Sequence, residues 1–203
     1  MYFTRRSPFA LIATLFLLVL AGPAFADSVG VQFVGVGSQN QNGVFTYPYY
    51  ISLDRGAEMA MVCDDFYDRI DVGDHWQAVV TDLTSGDVSK TMFRDLTKYR
   101  EAAYLFLQIK SYNSDQWGNI NWAIWTLFDP GIDPGYQYKD GVEFWLNQAE
   151  TADLSKVDFS GIHILTPTRP GPQEFIYITP EPGTLLLFGS GLLGVCAARK
   201  RRR

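Results

Sequence analysis

Changes of hydrophobic period along the chain predict an α+β fold: a single globular domain of β-strands with a central helical segment. β-prone residues come first, helical spacing occupies the middle, and two β-prone segments close the domain. Apolar stretches of a different kind flank it. They divide the chain into a leader over 1–26, an α+β domain over 27–179 and a C-terminal segment over 180–203. About 150 residues between the flanks suffice for one hydrophobic core.

Val29 to Val36 alternates as a half-buried strand does, and Gly37-Ser38-Gln39-Asn40 punctuates it. Val44 to Leu53 is Tyr-rich and β-prone, Ala57 to Cys63 is an apolar run, and Gln77 to Leu83 is a further strand candidate. The period then changes. Tyr99, Ala103, Tyr104, Leu105, Phe106 and Leu107 suit a helix over Leu96 to Lys110 packed on one side. Asn119 to Phe128 reads as a buried helix stopped by Asp129-Pro130-Gly131, and Gly141 to Ala152 as a third. Ile162 to Leu165 and Glu174 to Ile178 return to strand, with Thr166 to Gln173 as a loop or an extended lead toward the C-terminal segment.

The leader has the parts of a secretory signal peptide. Arg5 and Arg6 supply the charge, Phe9 to Leu20 the apolar stretch, and Ala24-Phe25-Ala26 a small-residue cleavage site for signal peptidase. The mature chain is expected to begin at Asp27. At the other end, Pro180-Glu181-Pro182-Gly183 precedes an apolar run from Thr184 to Ala198, followed by Arg199, Lys200, Arg201, Arg202 and Arg203. The run, 184–198, is the expected transmembrane helix; at 1.5 Å per residue it extends about 22 Å, short of the roughly 30 Å hydrocarbon core. The basic cluster would anchor it on the cytoplasmic side.

With both flanks set aside, 27–179 holds 21 acidic and 10 basic residues, a net charge of −11. Such a surface argues against nucleic acid as a partner, because phosphate binding needs a basic face. Of the two cysteines, Cys196 lies in the C-terminal apolar run, which leaves Cys63 alone in the domain. An exported lone cysteine is buried and inert, paired between chains, or chemically employed.

The ordered trio from Pro180 to Arg203 resembles the PEP-CTERM sorting signal of Gram-negative bacteria. The resemblance implies recognition by an exosortase-type enzyme, removal of the tail, and release or attachment at the cell exterior, often alongside exopolysaccharide. Two segments of the domain, Met61-Val62-Cys63-Asp64-Asp65-Phe66 and Ile120-Asn121-Trp122-Ala123-Ile124-Trp125, resemble the signature segments of thioester domains in bacterial surface adhesins. That resemblance implies a Cys63 thiol facing a carboxamide, joined as an internal thioester that captures nucleophiles on a target. The position of the family's glutamine is held here by Asn121. Its side chain is one methylene shorter, and a misplacement of roughly 1 Å is costly to a covalent step.

Other clusters carry weaker signals. Asp64, Asp65, Asp68, Asp71 and Asp74 could offer oxygens to calcium, but they lack the spacing of an EF-hand loop and read better as a solvated acidic edge. Tyr47, Tyr49, Tyr50, Trp76, Trp117 and Trp145 could stack on sugar rings or fill a core. His75 and His163 stand apart, with no ligand-spaced partners and no accompanying nucleophile, so neither a metal site nor a cofactor is expected and the chain does not read as an enzyme. The sequence therefore points to an exported structural or adhesive protein. A covalent adhesin acting through Cys63, and a calcium- or carbohydrate-binding module, are the alternatives.

Overall fold

A computed structural model describes residues 28–179. The expected signal peptide with Ala24 and Ala26, the tripeptide Pro180-Glu181-Pro182, the apolar run and the basic tail all lie outside the described residues. Among the described residues no helix is long and apolar enough to cross a membrane.

Six strands close into a barrel. They are β1 (Val29–Val36), β4 (Tyr49–Leu53), β5 (Glu58–Cys63), β8 (Phe175–Ile178), β7 (Ile162–Pro167) and β6 (His75–Asp82), each antiparallel to its neighbours in that order. Closure leaves no long sheet edge exposed. A small hairpin of β2 (Asn40–Gln41) and β3 (Val44–Phe45) stands apart from the barrel. Asn42 and Gly43 turn it with φ of 54° and 79°, the two positive values that a tight I′ hairpin turn requires. Three helices are inserted between β6 and β7: α1 (Leu96–Ile109), α2 (Ser114–Phe128) and α3 (Lys139–Thr151). The fold is thus a mixed one in which a strand-rich barrel and a helical cluster are segregated.

The sequence reading differs from the structure at several boundaries, each for a local reason. The β-prone stretch from Val44 to Leu53 is divided, because Pro48 brings no N–H to a ladder and interrupts the run between β3 and β4. β6 starts two residues earlier than expected and ends at Asp82, whose side chain accepts from Thr84 N at 2.8 Å and turns Leu83 into a short 3-10 helix. α2 begins at Ser114 rather than Asn119, since its first turn is polar and exposed and shows no apolar period. β7 runs on to Pro167, paired with Ala78, and 168–173 reverses the chain into β8 instead of leading toward the C-terminal segment.

Consecutive buried residues show where the two layers meet. β7 is buried from Ile162 through Thr166, β8 from Phe175 through Tyr177 and β5 from Met61 through Cys63. A strand buried on both faces has the barrel interior on one side and other structure on the other. α2 packs on α1, α3 and β5, and carries Ile120, Trp122, Ile124 and Trp125 into the core. Phe66, just beyond β5, lies 5.3 Å from both Trp122 and Trp125, whose own rings meet edge to face at 83°.

Trp122 is 1% exposed in this junction. Trp122→Ala is expected to cost about 3–5 kcal/mol out of a total stability on the order of 5–15 kcal/mol. Urea unfolding of the two proteins would measure the loss, and a change below about 1 kcal/mol would show that the helices do not depend on this contact.

Candidate functional site

The end of β5 brings Cys63, Asp64 and Asp65 into the junction between barrel and helices, all three buried. From α2, one helical face turns Asn121 toward them. The Asn121 amide donates from Nδ2 to the Cys63 carbonyl at 2.9 Å, and its Oδ1 accepts from Tyr47 N at 2.8 Å. These bonds fix which end of the amide is which, since a carbonyl oxygen can only accept and a backbone N–H can only donate. The two residues of the signature segments are therefore in contact, through the cysteine's backbone.

The Cys63 thiol turns elsewhere. Sγ donates to the Asp65 carbonyl oxygen at 2.9 Å, and the Gln173 amide donates to that same oxygen from Nε2 at 3.1 Å. A glutamine carboxamide and the thiol thus converge on one acceptor. Burial, reinforced by the neighbouring Asp64 and Asp65, holds the Cys63 thiol well above its ordinary range, so it stays protonated at neutral pH. Cys63 is a free cysteine with no accessible surface.

Behind the thiol lies a carboxyl pair that no motif announced. Glu174 is fully buried; its carboxylate accepts from Tyr99 Oη, from Thr166 Oγ1 and, at 3.0 Å, from Met92 N. Neither oxygen of Asp64 finds an N–H or O–H donor, and its carboxyl meets that of Glu174. Two carboxylates repel, so the contact requires one proton. The Glu174 oxygens are already occupied by three donors, which places the proton on Asp64. Burial first, then the charges of Glu174 and Asp65, push Asp64 well above the usual carboxylate range. Asp65 is pushed up to about 6, chiefly by burial, although its Oδ1 accepts from Tyr67 N and Asp68 N.

This corrects the reading of the aspartates as a solvated edge. Asp64 and Asp65 are core residues, while Asp71 and Asp74 are exposed and bond each other's turn, Asp71 N donating to Asp74 Oδ2 at 2.8 Å. Among the described residues no three His, Cys, Asp or Glu side chains converge as metal ligands would. The aromatic candidates divide similarly. Tyr49, Trp76 and Trp145 are buried, Tyr47 and Trp117 half-buried, and only Tyr50 is exposed. His75 is exposed beside Asp74, and His163 is buried near Thr179 with 3.2 Å between Nε2 and Oγ1. Tyr99, Thr166 and the adjacent pair Gln173-Glu174 come from three separate stretches. The single local hint was an acid opening an otherwise apolar strand.

The segment 179–203 matches the family described as PEP-CTERM protein-sorting motif. The chain carries that motif, which marks an exported bacterial surface protein processed by an exosortase-type enzyme. No curated protein matches the chain. Among solved structures, the N-terminal thioester domain of a surface protein from Clostridium perfringens is similar, with a TM-score of 0.50 and 11% identity over 75% of this chain and 98% of that one. The N-terminal domain of the Streptococcus pyogenes pilus tip adhesin Cpa aligns with a TM-score of 0.49 and 10% identity, over 79% and 97%. At 11% identity the first likeness is one of fold, and it agrees with the resemblance that the Cys63 and Asn121 segments carry.

Two expectations follow from this geometry. An acid held above its unfolded value of 3.8 keeps its proton longer in the folded state, so stability is greatest below that value and falls as pH rises. The urea midpoint is expected to decline as pH rises above about 4, through Asp64 and Asp65 together, with the Asp65 contribution complete near pH 6. Asp64→Asn, which offers Glu174 an N–H without a titrating proton, should flatten that decline; a midpoint that rises over this range would contradict the shared proton. Asn121→Ala strands the Cys63 carbonyl and the Tyr47 N–H and should cost on the order of 2–4 kcal/mol. Asn121→Asp, which still accepts from Tyr47 but donates nothing when ionised, is expected to lose stability most at high pH in the same unfolding series.

Proposed function

We propose that the protein is a non-catalytic structural or adhesive component of the outer surface or extracellular matrix of a Gram-negative cell, working alongside extracellular polysaccharide. Signal peptidase acts on it at Ala24 and Ala26, leaving Asp27 first. The segment with Pro180, Glu181 and Pro182, the helix 184–198 and the cluster 199–203 then holds it in the membrane until sorting. One observation carries the non-covalent part of this reading. The carboxamide at the position of a thioester glutamine belongs to Asn121, and both its ends are engaged by backbone partners while the thiol stays protonated and bonded to Asp65. A thiol held neutral in an apolar site is a poor nucleophile.

A second reading rests on Gln173. Its carboxamide has the length that Asn121 lacks, and it shares an acceptor with Cys63 Sγ. Attack of that sulfur on the Gln173 carbonyl carbon would form a C–S bond and expel the amide nitrogen as ammonia, which leaves with the thiol proton. The result would be a covalent adhesin.

Intact mass of the processed protein, before and after methylamine, separates the two. The expected result is the full calculated mass, no change with methylamine, and one thiol that alkylates only after denaturation. A mass short by one ammonia, recovered as a methylamine adduct and absent in Cys63→Ala, would establish the covalent reading. Peptide mapping of the adduct would then show whether Asn121 or Gln173 was the partner.

A further inference from the structure

The barrel has two distinct poles. β1, β5 and β7 begin at one of them, and β4, β6 and β8 end there, so the described chain enters at Ser28 and leaves at Thr179 from the same side. Both targeting segments are joined to the domain at this pole. The β2–β3 hairpin, the 66–72 loop and Gln173 lie at the opposite pole, where β1 and β5 end and where β4 and β8 begin.

A cleft of about 630 Å³ opens at that distal pole between the hairpin and the loop. Its floor is apolar, with Phe33, Tyr49 and Phe66. Two rings at its mouth are left in water: Phe45 is 50% exposed and Tyr67 is 67% exposed. The Tyr67 ring packs edge-on to Phe66 at 5.3 Å, with the Asp129 carboxylate near its hydroxyl. Beside these rings stand Asp68, Arg69 and Asp71. A larger hollow of about 800 Å³ along β1, β4 and β6 is lined by no exposed Phe, Tyr or Trp ring, its Trp76 being buried, and its Asp54 already accepts from Gly30 N at 2.8 Å.

Aromatic rings kept at a cleft mouth against their hydrophobic cost mark a binding surface. A flat ligand with an apolar face and a hydroxylated rim matches it: the face covers a ring, and the rim reaches carboxylates and a guanidinium. A pyranose has that shape. The net charge of −11 over 27–179 repels a polyanion and leaves a neutral chain as the complement. We propose that this distal cleft is a binding site for a neutral, hexose-based polysaccharide, with Phe45 and Tyr67 as the stacking platform. The inference rests on the adhesive reading above and gives it a site and a ligand class. A domain held to the membrane through its C-terminal segment would present this pole outward.

Affinity electrophoresis of the processed protein tests it, in gels containing a neutral β-glucan, a neutral galactomannan or polygalacturonate. Retardation is expected with at least one neutral polymer and not with polygalacturonate. Phe45→Ala and Tyr67→Ala should each weaken it about tenfold, the equivalent of one aromatic contact. Tyr67→Phe should stay within about twofold of the parent, and Phe144→Ala, which removes an exposed ring from α3, should leave binding unchanged. Retention by a neutral polymer that survives both Phe45→Ala and Tyr67→Ala would overturn the site while leaving the adhesive reading standing. Retention by polygalacturonate alone, or by none of the three, would overturn the ligand class. Cell fractionation is the separate readout for the reading beneath it, which fails if the processed protein is absent from the cell exterior.

Discussion

A carboxylate without solvent holds the two layers of this molecule in register. Glu174 immediately precedes β8, and its oxygens accept from Tyr99 on α1, Thr166 on β7 and the backbone of Met92 in the segment leading to α1, while Asp64 faces it from just beyond the end of β5. Ionic groups are costly to bury, and this one has no cation beside it. The ion pairs Lys139–Glu143 and Lys156–Asp153 lie on the surface. The charge is tolerated because three donors and one shared proton surround it, and each comes from a different element. Shifting any of those elements would leave a buried anion short of a partner, which makes the arrangement a demand on geometry more than a source of net stability.

Asn121 works in the same way on a smaller scale. It joins α2 to the end of β5 and to the segment before β4 through one donor and one acceptor. The carboxamide is then committed to holding the chain together, and the thiol beside it is neutral and enclosed. The Asn121 carboxamide is thus occupied at both ends by the backbone that it joins. At the distal pole, away from Ser28 and Thr179, the rings of Phe45 and Tyr67 stand open to water.

Much of this protein was legible before any coordinates. The Pro180-Glu181-Pro182 segment with its apolar run and basic cluster is read from contiguous residues, and contiguous order is all such a signal needs. The core positions of α1 and the stop at Asp129-Pro130 also follow from local spacing. Boundaries failed where local composition hid the element, as in the polar first turn of α2 and the strand divided at Pro48. The aspartate run failed for another reason. Five acids within eleven residues look solvated, and only the neighbours of Asp64 and Asp65 in space show that two of them are core groups.

The sequence by itself determined where the chain goes, that an acidic α+β domain travels with it, and that Cys63 and Asn121 belong to related segments. Those properties depend on order, charge and period along the chain, which are local quantities. Tertiary structure alone decided that the strands close into a barrel, that Glu174 and Asp64 meet in the core, and that Gln173 joins Cys63 at one oxygen. It also decided that Ser28 and Thr179 lie at one pole while the aromatic cleft opens at the other. The reason is physical: burial, proton sharing and hydrogen-bond satisfaction depend on which residues meet, and here the meeting residues lie as far apart as 108 positions in the chain.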